Sequence, residues 1–145
     1  MKLKAPRTER LIELAERAEN RRSFYPLHNG DADPIQRMYN LLLSGSYIKP
    51  HKHDLTETFV LLEGDAMMVF FDDDGNVLHK IRMNGKNKVI DMPRNAWHSL
   101  FSVSEHSLFF IIKEGPYVPE NKIFAPWAPE TWGKFTKLII KGNTK

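Results

Sequence analysis

Apolar residues at Leu11, Leu14, Ala15 and Ala18 follow the i, i+3, i+4, i+7 spacing of an amphipathic helix. The helix is expected over about 7–19, with Pro6 just before it and Glu9 in its first turn, and its apolar stripe should pack on the outside of the domain. The chain then becomes turn-rich from 20 to 34. Beyond that, short apolar or alternating runs predict strands at 35–43, 47–49, 57–63, 66–71, 77–82, 88–91, 98–103 and 107–113. Gly, Asp and Asn clusters separate them, and this density of short strands predicts an all-β sandwich or barrel. Residues 114–129 carry Pro116, Pro119, Pro126 and Pro129 among Tyr117, Phe124 and Trp127, which excludes a regular helix or a central strand. Such a segment packs over the surface or acts as a lid. Trp132, Phe135, Leu138 and Ile139 then predict a short C-terminal helix.

The run Ala66–Phe71 does not alternate, so both faces of that strand should be buried. Either the N-terminal helix or a second subunit is expected to cover its outer face, which points to a homodimer. Asp72, Asp73, Asp74, Gly75 and Asn76 lack the spacing of a calcium-binding loop and predict a hairpin turn instead.

At 145 residues, 41% hydrophobic and 27% charged, the chain fits one globular domain, organised as the helix, a barrel over about 35–113 and a C-terminal segment over 114–145. The net charge of +3 is spread along the chain, with no basic run interleaved with aromatics, so nucleic acid is not an expected partner. There is no cysteine, which excludes disulfides and thiolate ligands. No stretch approaches the roughly 20 apolar residues of a membrane span, and residues 1–20 lack a signal-peptide core, so a cytoplasmic protein is expected.

The candidate chemistry lies in His51, His53 and Glu57. Side chains alternate along a strand, so His51 and His53 share a face, and Glu57 shares one with Phe59 and Leu61. His98 shares its face with Leu100. Three imidazoles and a carboxylate on apolar inner faces need partners, and one divalent transition metal would satisfy all four.

These residues resemble the first motif of the cupin superfamily, a pattern that Gly45, His51, His53, Glu57 and Gly64 fill. The second motif is matched loosely. Pro93 and His98 are in place, Asn95 stands where glycine is usual, Ser102 stands where asparagine is usual, and Gly85 is displaced. The resemblance implies a cupin double-stranded β-helix, a jelly-roll barrel, holding metal through His51, His53, Glu57 and His98. A closer resemblance runs through Arg21-Arg22, Leu27-His28, Asp33 to Arg37, Phe71 to Gly75, Lys113 to Tyr117 and Phe124 to Pro129. This order looks like the WbuC family of cupin-fold metalloproteins, whose association with O-antigen and other surface polysaccharide gene clusters implies a role in that biosynthesis. Pro26 and Thr56 depart from the family's usual residues.

Four protein ligands on a six-coordinate ion leave two positions open, which suits Fe, Mn, Ni or Co, while Zn would take fewer ligands or added water. The leading expectation is a metal-dependent isomerase or epimerase acting on a sugar or sugar nucleotide. A metal-dependent dioxygenase and a non-catalytic small-molecule or sugar-binding cupin are the alternatives. His28, Tyr39 and Arg37 are the candidate acid–base residues, with His28 foremost because it lies in a loop.

Overall fold

A computed structural model describes residues 1 and 3–142, so residues 143–145 of the expected C-terminal segment lie outside the described residues. Helix α1 (Thr8–Arg17) matches the apolar stripe and buries Leu11 and Ala15. Ten strands follow in order: β1 (Arg22–Pro26), β2 (Ile35–Leu43), β3 (His51–Lys52), β4 (Glu57–Glu63), β5 (Ala66–Phe71), β6 (Val77–Met83), β7 (Val89–Met92), β8 (Trp97–Ser102), β9 (His106–Glu114) and β10 (Ile123–Phe124). Helix α2 (Trp132–Gly142) closes the described chain.

The strands form two antiparallel five-stranded sheets, ordered β1-β2-β9-β4-β7 and β10-β3-β8-β5-β6. The protein is therefore mostly β with two short helices, as the patterning predicts. Three details differ from expectation. The segment 20–34 contains β1, an edge strand paired only with β2, where Pro26 is tolerated and alternation is weak. Residues 47–49 are not a strand; pairing begins at His51, after Pro50, which has no N–H to donate. The proline-rich segment contributes β10, which also lies at a sheet edge.

The sheets face each other across a core that includes Met38, Leu42, Phe59, Leu61, Met68 and Phe109. Outward-facing Leu41, Leu43 and Leu108 of the first sheet pack under Leu11 and Ala15 of α1. On the second sheet the outer residues Val69 and Phe71 of β5 do need a cover. The N-terminal helix packs on the other sheet and does not supply it. Phe135 and Ile139 of α2 pack there with Ala125 and Trp97, so the chain itself buries the face that suggested a dimer.

Two glycines permit close approaches. Gly64, at φ +94°, joins β4 to β5 where a Cβ would collide with the His106 carbonyl. At Gly115 a Cβ would collide with the Asp33 carbonyl, and the Gly115 N–H donates to Pro34 O at 2.9 Å. The segment after β9 is thereby tied to the loop before β2. At its far end the Tyr47 hydroxyl donates to Pro129 O at 2.5 Å. Among the described residues no helix is long and apolar enough to cross a membrane.

Phe135 is fully buried, and Phe135→Ala should destabilise the fold by about 3–5 kcal/mol in urea denaturation. A loss under about 1 kcal/mol would show that α2 is not docked. Burial, followed by the nearby Glu130 carboxylate, pushes the Tyr47 pKa up to about 12. A raised pKa means stability that is present below the unfolded value of about 10 and lost as pH rises through the folded value. The unfolding free energy of the parent minus that of Tyr47→Phe should therefore shrink between about pH 10 and pH 12. A constant difference would rule out the hydroxyl as the anchor.

Candidate metal centre

His51 lies directly opposite His98 in the β3–β8 pairing, and their ring centroids are 4.4 Å apart. His53, two residues on, closes the group at 5.6 Å from His51 and 5.2 Å from His98. One ligand atom from each of the three rings lies within 4.8 Å of the others. All three histidines are buried.

Backbone carbonyls orient two of the rings. Nδ1 of His51 lies 2.8 Å from Lys49 O, and Nδ1 of His98 lies 2.8 Å from Ala96 O. A carbonyl only accepts, so each Nδ1 carries the proton and each Nε2 keeps a free lone pair. Burial first, then the charges of His98 and Lys122, push the His51 pKa down to about 2, against the pull of the Lys49 carbonyl. Burial likewise brings His98 down to about 4, opposed by the Ala96 carbonyl and Glu57. Both imidazoles are neutral at physiological pH, the state that binds metal.

His53 is held differently. Its carbonyl accepts from Asn95 N–H at 3.0 Å. Asn95 takes φ +59°, the left-handed conformation expected where glycine is usual. His53 Nε2 lies 3.3 Å from Glu57 Oε1, and its buried Nδ1 has no partner. Burial works to raise the Glu57 pKa, but the His53 hydrogen bond and the charges of His53, Lys113 and His98 leave it below the ordinary value. The donor set fits a divalent cation: converging neutral nitrogens, one ionised carboxylate beside them, and an orphaned buried nitrogen on His53.

The group opens into a cavity of about 170 Å³. Met38, Ile48, Phe59, Leu100 and Ile111 form its apolar wall. His51, His53, Glu57 and His98 all line it. His28, Arg37 and Tyr39 do not. Arg37 and Tyr39 alternate with the inward-facing Met38, so they point away from the cavity, and Tyr39 packs on the α1 side against Phe110. His28 Nδ1 instead lies against the Arg37 backbone, 3.1 Å from its N–H. The three candidate acid–base residues are thus displaced by side chains that the sequence pattern did not single out.

Arg22, Asn40, Lys113, Tyr117, Asn121 and Lys122 line the cavity in their place. Arg22 was missed because its strand was missed. Lys113 was legible, since it continues the inward series Phe109, Ile111. Nothing in the local pattern marks Lys122, which the edge strand β10 carries to the mouth. Glu114 also lines the cavity but is engaged by Arg94, which bonds Asp54 as well.

Residues 3–83 match the family model DUF6016, a domain of unknown function. The chain belongs to that family. The match includes His51, His53 and Glu57 and stops before His98, Lys113 and Lys122. No curated protein matches the sequence. Among solved structures, the chain resembles the capsular polysaccharide assembling protein CapF of Staphylococcus aureus at TM-score 0.62 and 18% identity, over 74% of this chain and 32% of that one. It spans about a third of CapF. An oxalate oxidase in complex with the substrate analogue glycolate matches at TM-score 0.59 and 18% identity, over 76% of this chain and 58% of that one. The cupin domain of Schizosaccharomyces pombe Cnp3 matches at TM-score 0.52 and 16% identity, over 65% and 61%. These likenesses show a cupin fold.

The neutral state and tautomer of the two carbonyl-bound rings can be observed directly. In chelator-treated protein at pH 6, nitrogen-15 NMR should show His51 and His98 neutral and protonated at Nδ1. A proton on Nε2 of either ring would overturn the converging lone pairs.

Proposed function

We propose that this chain is a metal-dependent cupin in which His51, His53, Glu57 and His98 together hold one divalent transition ion, Fe, Mn, Ni, Co or Zn. The observation that carries the proposal is the pair of Nδ1–carbonyl hydrogen bonds, at 2.8 Å each, which aim two Nε2 lone pairs into one buried cavity. When bound, such an ion acts as a Lewis acid on a carbonyl or hydroxyl oxygen of a small molecule. The chain's own residues orient the ligands, exclude water behind the apolar wall and present cations at the mouth.

The biological setting we infer is surface polysaccharide biosynthesis, with isomerisation or epimerisation of a sugar or sugar nucleotide as the reaction. The shared motif order with the WbuC family supports this, as does the likeness to a capsular polysaccharide assembling protein. The likeness to an oxalate oxidase favours a second reading, oxygen-dependent chemistry at the same ion. The chain is proposed to work as one cupin unit.

Metal content by elemental mass spectrometry, on protein purified without a histidine tag, tests the proposal. About one first-row ion per chain is expected in the parent and almost none in a His51→Ala/His53→Ala double variant. A parent that stays metal-free after incubation with each candidate ion would sink it. With the metal loaded, substrate-dependent oxygen uptake would select the second reading over isomerisation.

A further inference from the structure

The cavity mouth is strongly cationic. Arg22 reaches it from β1, where it pairs across from the core residue Leu42 and so faces inward. Lys113 reaches it from β9, directly opposite Glu57 in the β4–β9 register. Lys122 reaches it from the segment that leads into β10. Against these three stand two carboxylates. Glu114 is already engaged by Arg94, and Glu57 lies beside His53. Among the described residues neither lysine ammonium makes a salt bridge. Lys113 Nζ sits over the Tyr117 ring at 5.8 Å and Lys122 Nζ over the Phe124 ring at 5.2 Å. Arg22 donates to the Tyr47 carbonyl at 3.0 Å, which leaves its charge uncompensated.

Three like charges around one small cavity repel one another. Lys122 as a whole is exposed, yet the protein around its ammonium, followed by Arg22 and Lys113, lowers its pKa. A bound cation at the histidines would add two further positive charges. A neutral sugar hydroxyl would leave this excess standing, while an oxyanion would relieve it and meet several charge-assisted donors.

We propose that the ligand of this cavity is a small oxyanion, a carboxylate or phosphate held by Arg22, Lys113 and Lys122, with a neighbouring oxygen placed at the histidine group. The second half rests on the metal reading above; the first does not. The volume of about 170 Å³ lies below the roughly 300–1,000 Å³ of drug-sized pockets, which limits the enclosed part to a small molecule or one end of a larger one.

Calorimetric titration of protein of measured metal content tests this, using glycolate, inorganic phosphate and uncharged glycolamide as probes. At least one anion should bind about tenfold or more tighter than glycolamide, the scale of a charge-assisted hydrogen bond. Lys113→Gln/Lys122→Gln should lose about that factor with metal content unchanged, while Lys113→Arg/Lys122→Arg keeps anion binding. Preference for glycolate identifies a carboxylate ligand, and preference for phosphate a phosphorylated one. If the parent carries no metal, anion preference and its loss in the glutamine variant still uphold the cationic site while the metal reading fails. Glycolamide matching both anions, an unweakened glutamine variant, or equal loss in the arginine variant would each overturn the proposal.

Discussion

A single cross-strand pair, His51 opposite His98, sets the geometry on which the site depends. β3 is only two residues long, far too short to hold its own register. Its place is fixed from both sides. β8 pairs with it through His98, and β10 pairs with it through Phe124 opposite His51 and Ile123 opposite Lys52. The Ala125 N–H then donates to Pro50 O at 3.0 Å. A strand of this length between two others shifts easily, and a slip of β3 by one residue would turn His51, and His53 after it, out of the cavity.

The C-terminal segment therefore has two tasks. Its aromatic end buries Val69 and Phe71 beneath Phe135 and Trp127, which satisfies the outer face of β5. Its middle holds β3 and brings Lys122, Asn121 and Tyr117 to the mouth. Docking of α2 and alignment of the histidines are coupled through β10. Damage at Phe135, remote from the site in sequence, acts on the same chain of contacts that positions His51.

The parts of this arrangement that sequence revealed are those governed by local periodicity. α1, α2 and the long strands announce themselves by spacing, and His51, His53, Glu57 and His98 share faces with residues that are plainly core. What escaped was set by pairing partners far along the chain. β1 is half exposed and contains Pro26, so its pattern is weak without β2 beside it. Arg37 and Tyr39 were attractive by residue type, but alternation against Met38 sends them to the α1 side. His28 sits in a loop as functional groups often do, yet it binds the Arg37 backbone. Lys122 owes its position to a two-residue edge strand, a feature with almost no sequence signature.

Size and charge together narrow what the cavity can receive. A nucleotide diphosphate sugar is far larger than about 170 Å³, so only one end of such a molecule enters, and the rest lies outside the mouth. The inner wall of Met38, Phe59, Leu100 and Ile111 offers that end no hydrogen bonds. Polar recognition comes from the histidine group with Glu57 and from Arg22, Asn40, Lys113, Tyr117, Asn121 and Lys122 around it. Cationic side chains beside the histidine group, with Lys113 directly opposite Glu57, suit a compact molecule that carries an anionic group and, within a few bonds of it, a metal-binding oxygen. A sugar acid or a phosphorylated small sugar meets both conditions. A neutral hexose meets only the second.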